Sequence, residues 1–295
     1  MNLEKILEEE YKQITPAEIG KVKTEKTYIT DQLLKAFSES LNDSFFTNEF
    51  KNKKEYFAYK IKSFQNIITP EEITNVSLHL SNLQTNPYFS YAGYFLTALI
   101  DLHREETNKN VEYKIMTDHL EKNLEGIGYQ NRSHILIDGN GGGTLGYEMI
   151  SGKITVVGNC QYNIGFGMKG GKITITGNVG HDIGHHMTGG EIYVDGSVIE
   201  FVGCWMHQGK ITVTGNVKKY VGNGLKNGRI DIYGNAGNEI GLYMQGGEIH
   251  LYGEYEDISN YFVNGKIYHK NKCIQTKWKK IVKQKITGIK SLFKK

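Results

Sequence analysis

The chain has 295 residues, with 35 Lys+Arg against 32 Asp+Glu for a formal net charge of +3, and is 39% hydrophobic, 11% aromatic and 23% charged. That apolar content fills one large core or two smaller ones and is too high for a disordered chain. No run of about 18 apolar residues suits a membrane crossing, and the acidic start MNLEKILEEEYKQ lacks the basic flank and apolar run of a secretory signal.

Residues 1–130 read as an α-helical domain. Thr15-Pro16-Ala17-Glu18 and Thr69-Pro70-Glu71-Glu72 each fit a capping box with proline in the first helical position. Helices are expected over Leu3–Lys12, Pro16–Val22, Asp31–Leu41, Phe50–Gln65, Pro70–Leu83, Tyr88–Glu106 and Val111–Leu124. The segment Tyr91–Leu102 is apolar on most faces, which places it at the bundle centre. Tyr56, Phe57, Tyr59, Phe64, Tyr88, Phe89, Tyr91, Tyr94 and Phe95 read as bundle core. No phosphate-binding loop or dinucleotide fingerprint is present.

The composition then changes. Thirty of the 35 glycines lie between Gly139 and Gly265, and all three prolines precede them. Gly139, Gly158, Gly177, Gly196, Gly215, Gly234 and Gly253 recur every 19 residues, as do the Gly146–Gly241 and Gly152–Gly247 series. Three glycine ladders predict three corners per unit, since glycine accepts positive φ. Ile135, Ile154, Ile173, Ile192, Ile211, Ile230 and Ile249 form an apolar ladder of the same period, with a second ladder two residues later. That alternation is a strand with one buried face. Further ladders run through Leu145–Ile240 and through Met149, Met168, Met187, Met206, Leu225 and Met244, whose thioethers suit an irregular interior.

A 19-residue unit with three corners fits one turn of a parallel β-helix, whereas α-helical repeats need about 33 residues or more. Seven coils over 133–269, stacked at about 4.8 Å, make a rod of about 34 Å. Asn140, Asn159, Asn178, Asn216 and Asn235, with Ser197 and Glu254 completing the series, are expected to hydrogen-bond side chain to side chain. The pattern leaves open whether Gln161–Ile164 is a second strand or a bent loop. The glycine intervals depart from the six-residue sub-repeats of hexapeptide acyltransferases.

The unit GKITITGNVGxxIGxxMxG, seen over Gly171–Gly189, resembles the GXGXG-repeat domain. That domain closes the large subunit of glutamate synthase and forms one of the subunits of formylmethanofuran dehydrogenase. The resemblance implies a right-handed parallel β-helix of about seven turns that spaces catalytic domains or subunits, with no catalytic residue in the repeat. The other glutamate synthase hallmarks (an N-terminal cysteine nucleophile, an iron–sulfur cysteine cluster, a flavin-binding barrel) are missing from this sequence.

One coil concentrates histidines. In a 19-residue stack His185 lies beside Cys204, His186 beside Trp205 and His181 beside Glu200. Imidazole, thiolate and carboxylate are zinc or iron ligands, and a base beside a thiol is a minimal nucleophile pair. His181, His185, His186 and Cys204 are therefore candidate metal ligands, weighed against the outward-facing polar side chains that such positions usually hold. Cys160, Cys204 and Cys273 are far apart and odd in number, which suggests neither a disulfide framework nor a zinc knuckle and favours a cytoplasmic setting.

The segment 270–295 holds ten lysines and no acid. Its +10 leaves −7 for the other residues. Ile274, Trp278, Ile281, Val282, Ile286, Ile289, Leu292 and Phe293 share one side of a helical wheel, so a basic amphipathic helix is expected. Trp278, Lys279, Lys280, Lys283 and Phe293 are its candidate contacts with an anionic membrane surface or a partner; docking onto the last coil is the alternative. Nucleic acid is not expected, for want of a stacking platform. The whole reads as α+β and multidomain: helical bundle, β-helix, amphipathic helix. The function expected is a non-catalytic scaffold or assembly protein without a cofactor. The alternatives are an accessory subunit of a glutamate synthase-like or formylmethanofuran dehydrogenase-like complex and, third, a stand-alone enzyme using the His/Cys cluster.

Overall fold

The computed structural model describes residues 16–42, 53–107 and 111–274. The helix expected over Leu3–Lys12 and the amphipathic segment beyond Ile274, with Trp278, Lys279, Lys280, Lys283 and Phe293, lie outside them. Among the described residues four α-helices come first: α1 (Pro16–Leu41), α2 (Lys53–Ile61), α3 (Pro70–His79) and α4 (Ala92–Thr107), joined partly by short 3-10 turns. The two helices expected over 16–22 and 31–41 are one continuous helix. Thr69 caps α3 as its sequence requires: its hydroxyl accepts from Glu72 N at 3.3 Å, and Glu72 Oε2 accepts from Thr69 N at 2.7 Å.

Phe37, Phe57 and Phe95 meet at ring separations of 4.9–5.7 Å in the helical core. Most of α4 from Ala92 to Ile100 is buried, as its apolar pattern demands. The aromatic assignment holds only in part. Tyr56, Phe57, Phe89 and Phe95 are buried, whereas Tyr59 is 74% exposed and Tyr88 is on the surface.

The segment expected as a seventh helix is strand. Residues Glu112–Met116 form β1, because EYKIM alternates and buries Tyr113 and Ile115. From there the chain winds into a parallel β-solenoid of about eight turns, one more than the glycine ladders mark. Its main sheet runs β1, β2 (His134–Asp138), β3 (Lys153–Val157), β5 (Lys172–Ile175), β7 (Glu191–Val194), β9 (Lys210–Val213), β11 (Arg229–Ile232), β13 (Glu248–Leu251) and β14 (Lys266–His269), closed by the antiparallel β15 (Lys272–Cys273). Every pairing from β2 to β13 has the 19-residue offset, as in Ile154↔Ile173 and Ile192↔Ile211. The first coil is longer, pairing Glu112 with His134.

In five successive coils the middle is a second strand, not a loop. A five-stranded parallel sheet joins β4 (Cys160–Ile164), β6 (Val179–Ile183), β8 (Val198–Val202), β10 (Val217–Val221) and β12 (Ala236–Asn238). The isoleucine, valine and methionine ladders fill the interior, and buried residues from Leu33 to Ile267 form one continuous core.

The glycine ladders do two different jobs. The Gly146–Gly241 and Gly152–Gly247 series hold positive φ throughout, from 62° to 112°. In the Gly139 series, Gly177 to Gly253 do not; a Cβ on Gly177 would stand 2.4 Å from Gly158 O, so close stacking of coils requires the glycine. Left-handed backbone also occurs at a column without glycine: Thr144, Asn163, Asp182, Phe201, Tyr220 and Glu239 have φ of 49–68°. The asparagine ladder bonds differently from expectation. Asn178 Oδ1 accepts from Ser197 N at 2.8 Å, and Asn159 Oδ1 from Asn178 N at 2.8 Å. Each side chain thus serves the backbone of the next coil, because a planar amide reaches a backbone N–H one strand spacing away without distorting the turn.

Candidate functional site

Each coil leaves the second sheet through a left-handed glycine and turns a corner towards its buried Met or Leu. In the fourth coil that corner is Gly184-His185-His186-Met187. His185 O accepts from Gly167 N, and His186 N donates to Cys204 O at 3.0 Å, so backbone rungs fix both residues between coils. Asp182 sits three residues ahead with φ 68°. That turn brings its carboxylate to His185, with Nδ1 2.9 and 3.1 Å from the two oxygens. His186 is exposed and its ring centre lies 4.6 Å from that of His185. Its pKa is lowered, first by partial burial and then by the positive charge of His185, His207 and Lys226.

The other two candidates stand apart in chemistry. His181 pairs in register with Glu200 on the outer face of the second sheet, Nδ1 to Oε1 3.9 Å. Cys204 is 2% exposed, and burial, followed by the Asp182 charge, pushes its thiol up to about 12. At neutral pH it is a thiol, which neither attacks nor ligates as a thiolate would. Among the described residues no three of His, Cys, Asp and Glu are grouped so as to hold a metal ion. The structure therefore unites His185 with Asp182 and His186, and leaves His181 and Cys204 outside that group.

Sequence reading misses a column of stacked rings. Tyr147 and Phe166 stack at 4.9 Å and 6°, and Tyr129 stacks on Tyr147 at 5.7 Å. Tyr94 of α4 meets Tyr129 at 5.7 Å, and His185 continues the column from Phe166 at 5.1 Å. Lys54 lies 5.6 Å from the Tyr129 ring centre and donates to Asp101 Oδ2 at 2.7 Å and Tyr129 O at 3.3 Å. Helix α2, helix α4 and the first coils are thereby tied together. The 19-residue spacing of Tyr147, Phe166 and His185 is the available signal; Tyr129 breaks the spacing and hides the link to the helices.

The GXGXG motif family model matches residues 96–295, which is more than half the chain. The chain belongs to the GXGXG motif family. This GXGXG chain matches none of the curated proteins compared with it. No helix among the described residues is long and apolar enough to cross a membrane.

Proposed function

We propose that this GXGXG chain is a non-catalytic assembly module that holds partner proteins at fixed spacing along a stiff column. The observation that carries the reading is register. From β2 to β13 every coil repeats the previous one residue for residue, and the interior is packed with side chains. A densely packed column of this kind has few soft modes, so it transmits distance and orientation rather than enclosing a substrate. The chemistry of the candidate cluster supports the same reading. The carboxylate that could activate a base holds His185 at the surface, and the nearby thiol stays protonated.

Family membership favours a second, narrower reading: an accessory subunit of a glutamate synthase-like or formylmethanofuran dehydrogenase-like enzyme. The two readings part in one experiment. A tagged chain is isolated from its native cells under mild conditions and its mass measured by light scattering. A stoichiometric partner supports the assembly role, and a flavin, molybdopterin or iron–sulfur spectrum in that complex supports the subunit role. Elution as a bare monomer at native expression overturns both.

A further inference from the structure

The outer faces of the two sheets and the corner between them differ in how charge is arranged. On the main sheet, cations find carboxylates in their own or a neighbouring coil: Lys172 with Glu191 at 3.6 Å, Arg229 with Asp231 at 2.8 Å, Lys266 with Glu248 at 3.5 Å. At the corner, the Glu148–Lys169 pair at 3.6 Å closes this pattern. Beyond it, the turns 185–189, 204–208, 223–227, 242–246 and 261–265 contain no Asp or Glu. They present His186, His207 and Lys226, all exposed. Lys226 Nζ lies 3.3 Å from His207 Nε2. An ammonium has no acceptor, so that imidazole nitrogen is the accepting partner of the contact.

Aromatic rings flank these cations. Trp205 has φ 51°, an uncommon backbone for a bulky residue. Its indole lies against Gly224, where a Cβ would come within 2.7 Å of the ring. Tyr243 and Tyr261, 47% and 64% exposed, continue the edge with ring centres 5.7 Å apart. Coils repeat at about 4.8 Å, so a straight strip of titratable donors runs beside a strip of aromatic surface.

We infer that this corner, from His186 to Tyr261, is a docking stripe for an acidic, aromatic- or aliphatic-bearing segment of a protein partner. Carboxylates supply counter-charge to His186, His207 and Lys226, whose own turns hold none, and Trp205, Tyr243 and Tyr261 take the apolar side chains between them. A peptide fits better than a nucleic acid. The stripe holds one permanent cation, whereas a phosphate backbone is held by many lysines and arginines. The groups facing His186 are Asp182 and His185 from its own coil and His207 and Lys226 from the next two. A bound carboxylate offsets that crowding of positive charge, so binding draws a proton onto His186 and strengthens as pH falls.

This inference rests on the assembly reading, and a defined probe separates them. A fluorescein-labelled poly-glutamate peptide interrupted by tyrosines is titrated with the full chain and followed by anisotropy. We expect binding that tightens roughly threefold or more between about pH 8 and about pH 6. The double variant His207→Ala/Lys226→Ala weakens it roughly tenfold, by loss of two charge-assisted contacts, and Lys172→Ala on the main sheet leaves it unchanged. Both altered residues are exposed, so an unchanged thermal midpoint is the folding control. Affinity indifferent to the double variant, or weakening as pH falls, overturns the stripe; so does tighter binding of oligothymidine than of the peptide. A native partner retained by the double variant leaves the assembly role standing and removes the stripe. Peptide binding by a chain that is otherwise partnerless does the reverse.

Discussion

The first coil and the middle of the solenoid satisfy the same kind of backbone edge by different means. In the middle, each rung is completed by an equivalent rung, and polar side chains such as Asn159, Asn178 and Asn216 serve the next coil's N–H groups. The first coil has no preceding copy, and the helices supply its partners one at a time. Thr74 Oγ1 donates to Lys114 O at 2.9 Å and Ser77 Oγ accepts from Met116 N at 3.0 Å, closing the free edge of β1. Thr97 Oγ1 faces Gly126 O and Gly128 N at 3.2 and 2.9 Å, while Gln84 Oε1 accepts from Glu121 and Lys122 N. An uncovered edge of this length would recruit other strands. Repetition therefore needs a cap built from residues that do not repeat.

The sharpest way to break the repeating half is to empty one interior position. Met187 is fully buried, with its methyl against Gly209. Met187→Ala should cost about 3 kcal/mol, the transfer of the side chain plus the cavity left behind. Denaturant unfolding measures it; a loss below about 1 kcal/mol would mean neighbouring coils collapse into the space, contrary to a stiff column.

The cap half is next. Thr97→Val keeps the shape and deletes the hydroxyl, leaving the buried Gly128 N–H without its acceptor, while Gly126 O keeps the N–H of Tyr129. A loss of about 2 kcal/mol is expected. Its location is the sharper readout: hydrogen exchange should accelerate in the first coil and leave β7 to β11 protected. Uniform acceleration would show that cap and column unfold as one unit.

This contrast also explains what the sequence reveals. Ile154, Ile173 and Ile192 announce their strands by recurring, and the fold of 133–269 follows from counting. Residues 111–124 recur with nothing, so EYKIM, which alternates like the other strands, reads as helix only because its surroundings do. The second sheet is hidden because positions such as Gln161, Gly180 and Ile199 share period but not polarity. At the candidate cluster, one-dimensional stacking correctly puts His181 beside Glu200. It cannot show that Cys204 points inward while His186 points outward, since that depends on the left-handed residues at the corner. The stripe from His186 to Tyr261 escapes a sequence reading because it is defined by an absence of acids over five turns, which no single motif displays.

A smaller effect tests the asparagine ladder. Asn178→Ala removes the acceptor for Ser197 N, at an exposed turn where water replaces part of the loss. About 1 kcal/mol or less is expected. A second substitution, Asn216→Ala, should add to it, since nonadjacent rungs share no partner. A marked excess in the double variant would mean that the ladder acts cooperatively along the rod.

The smallest effect comes from the buried thiols, and its sign is fixed by burial. Cys160 and Cys204 are both pushed from about 9 up to about 12, chiefly by burial. Above the unfolded value the unfolded chain releases these protons while the folded chain keeps them. Stability is therefore complete below about pH 9 and falls as pH rises towards 12. At about pH 9 the thiols of the unfolded chain are half ionised, which costs the fold about 0.4 kcal/mol for each of the two. Replacing both with alanine should flatten the pH dependence between about pH 7 and about pH 9 by that amount, whatever it does to absolute stability. The same burial predicts that a thiol reagent at mildly alkaline pH labels Cys273, which is exposed, and spares the other two until the protein unfolds. Rapid labelling of Cys204 in the folded chain would show that the fourth and fifth coils open, and the stiff column would then be soft at the corner where a partner is expected to sit.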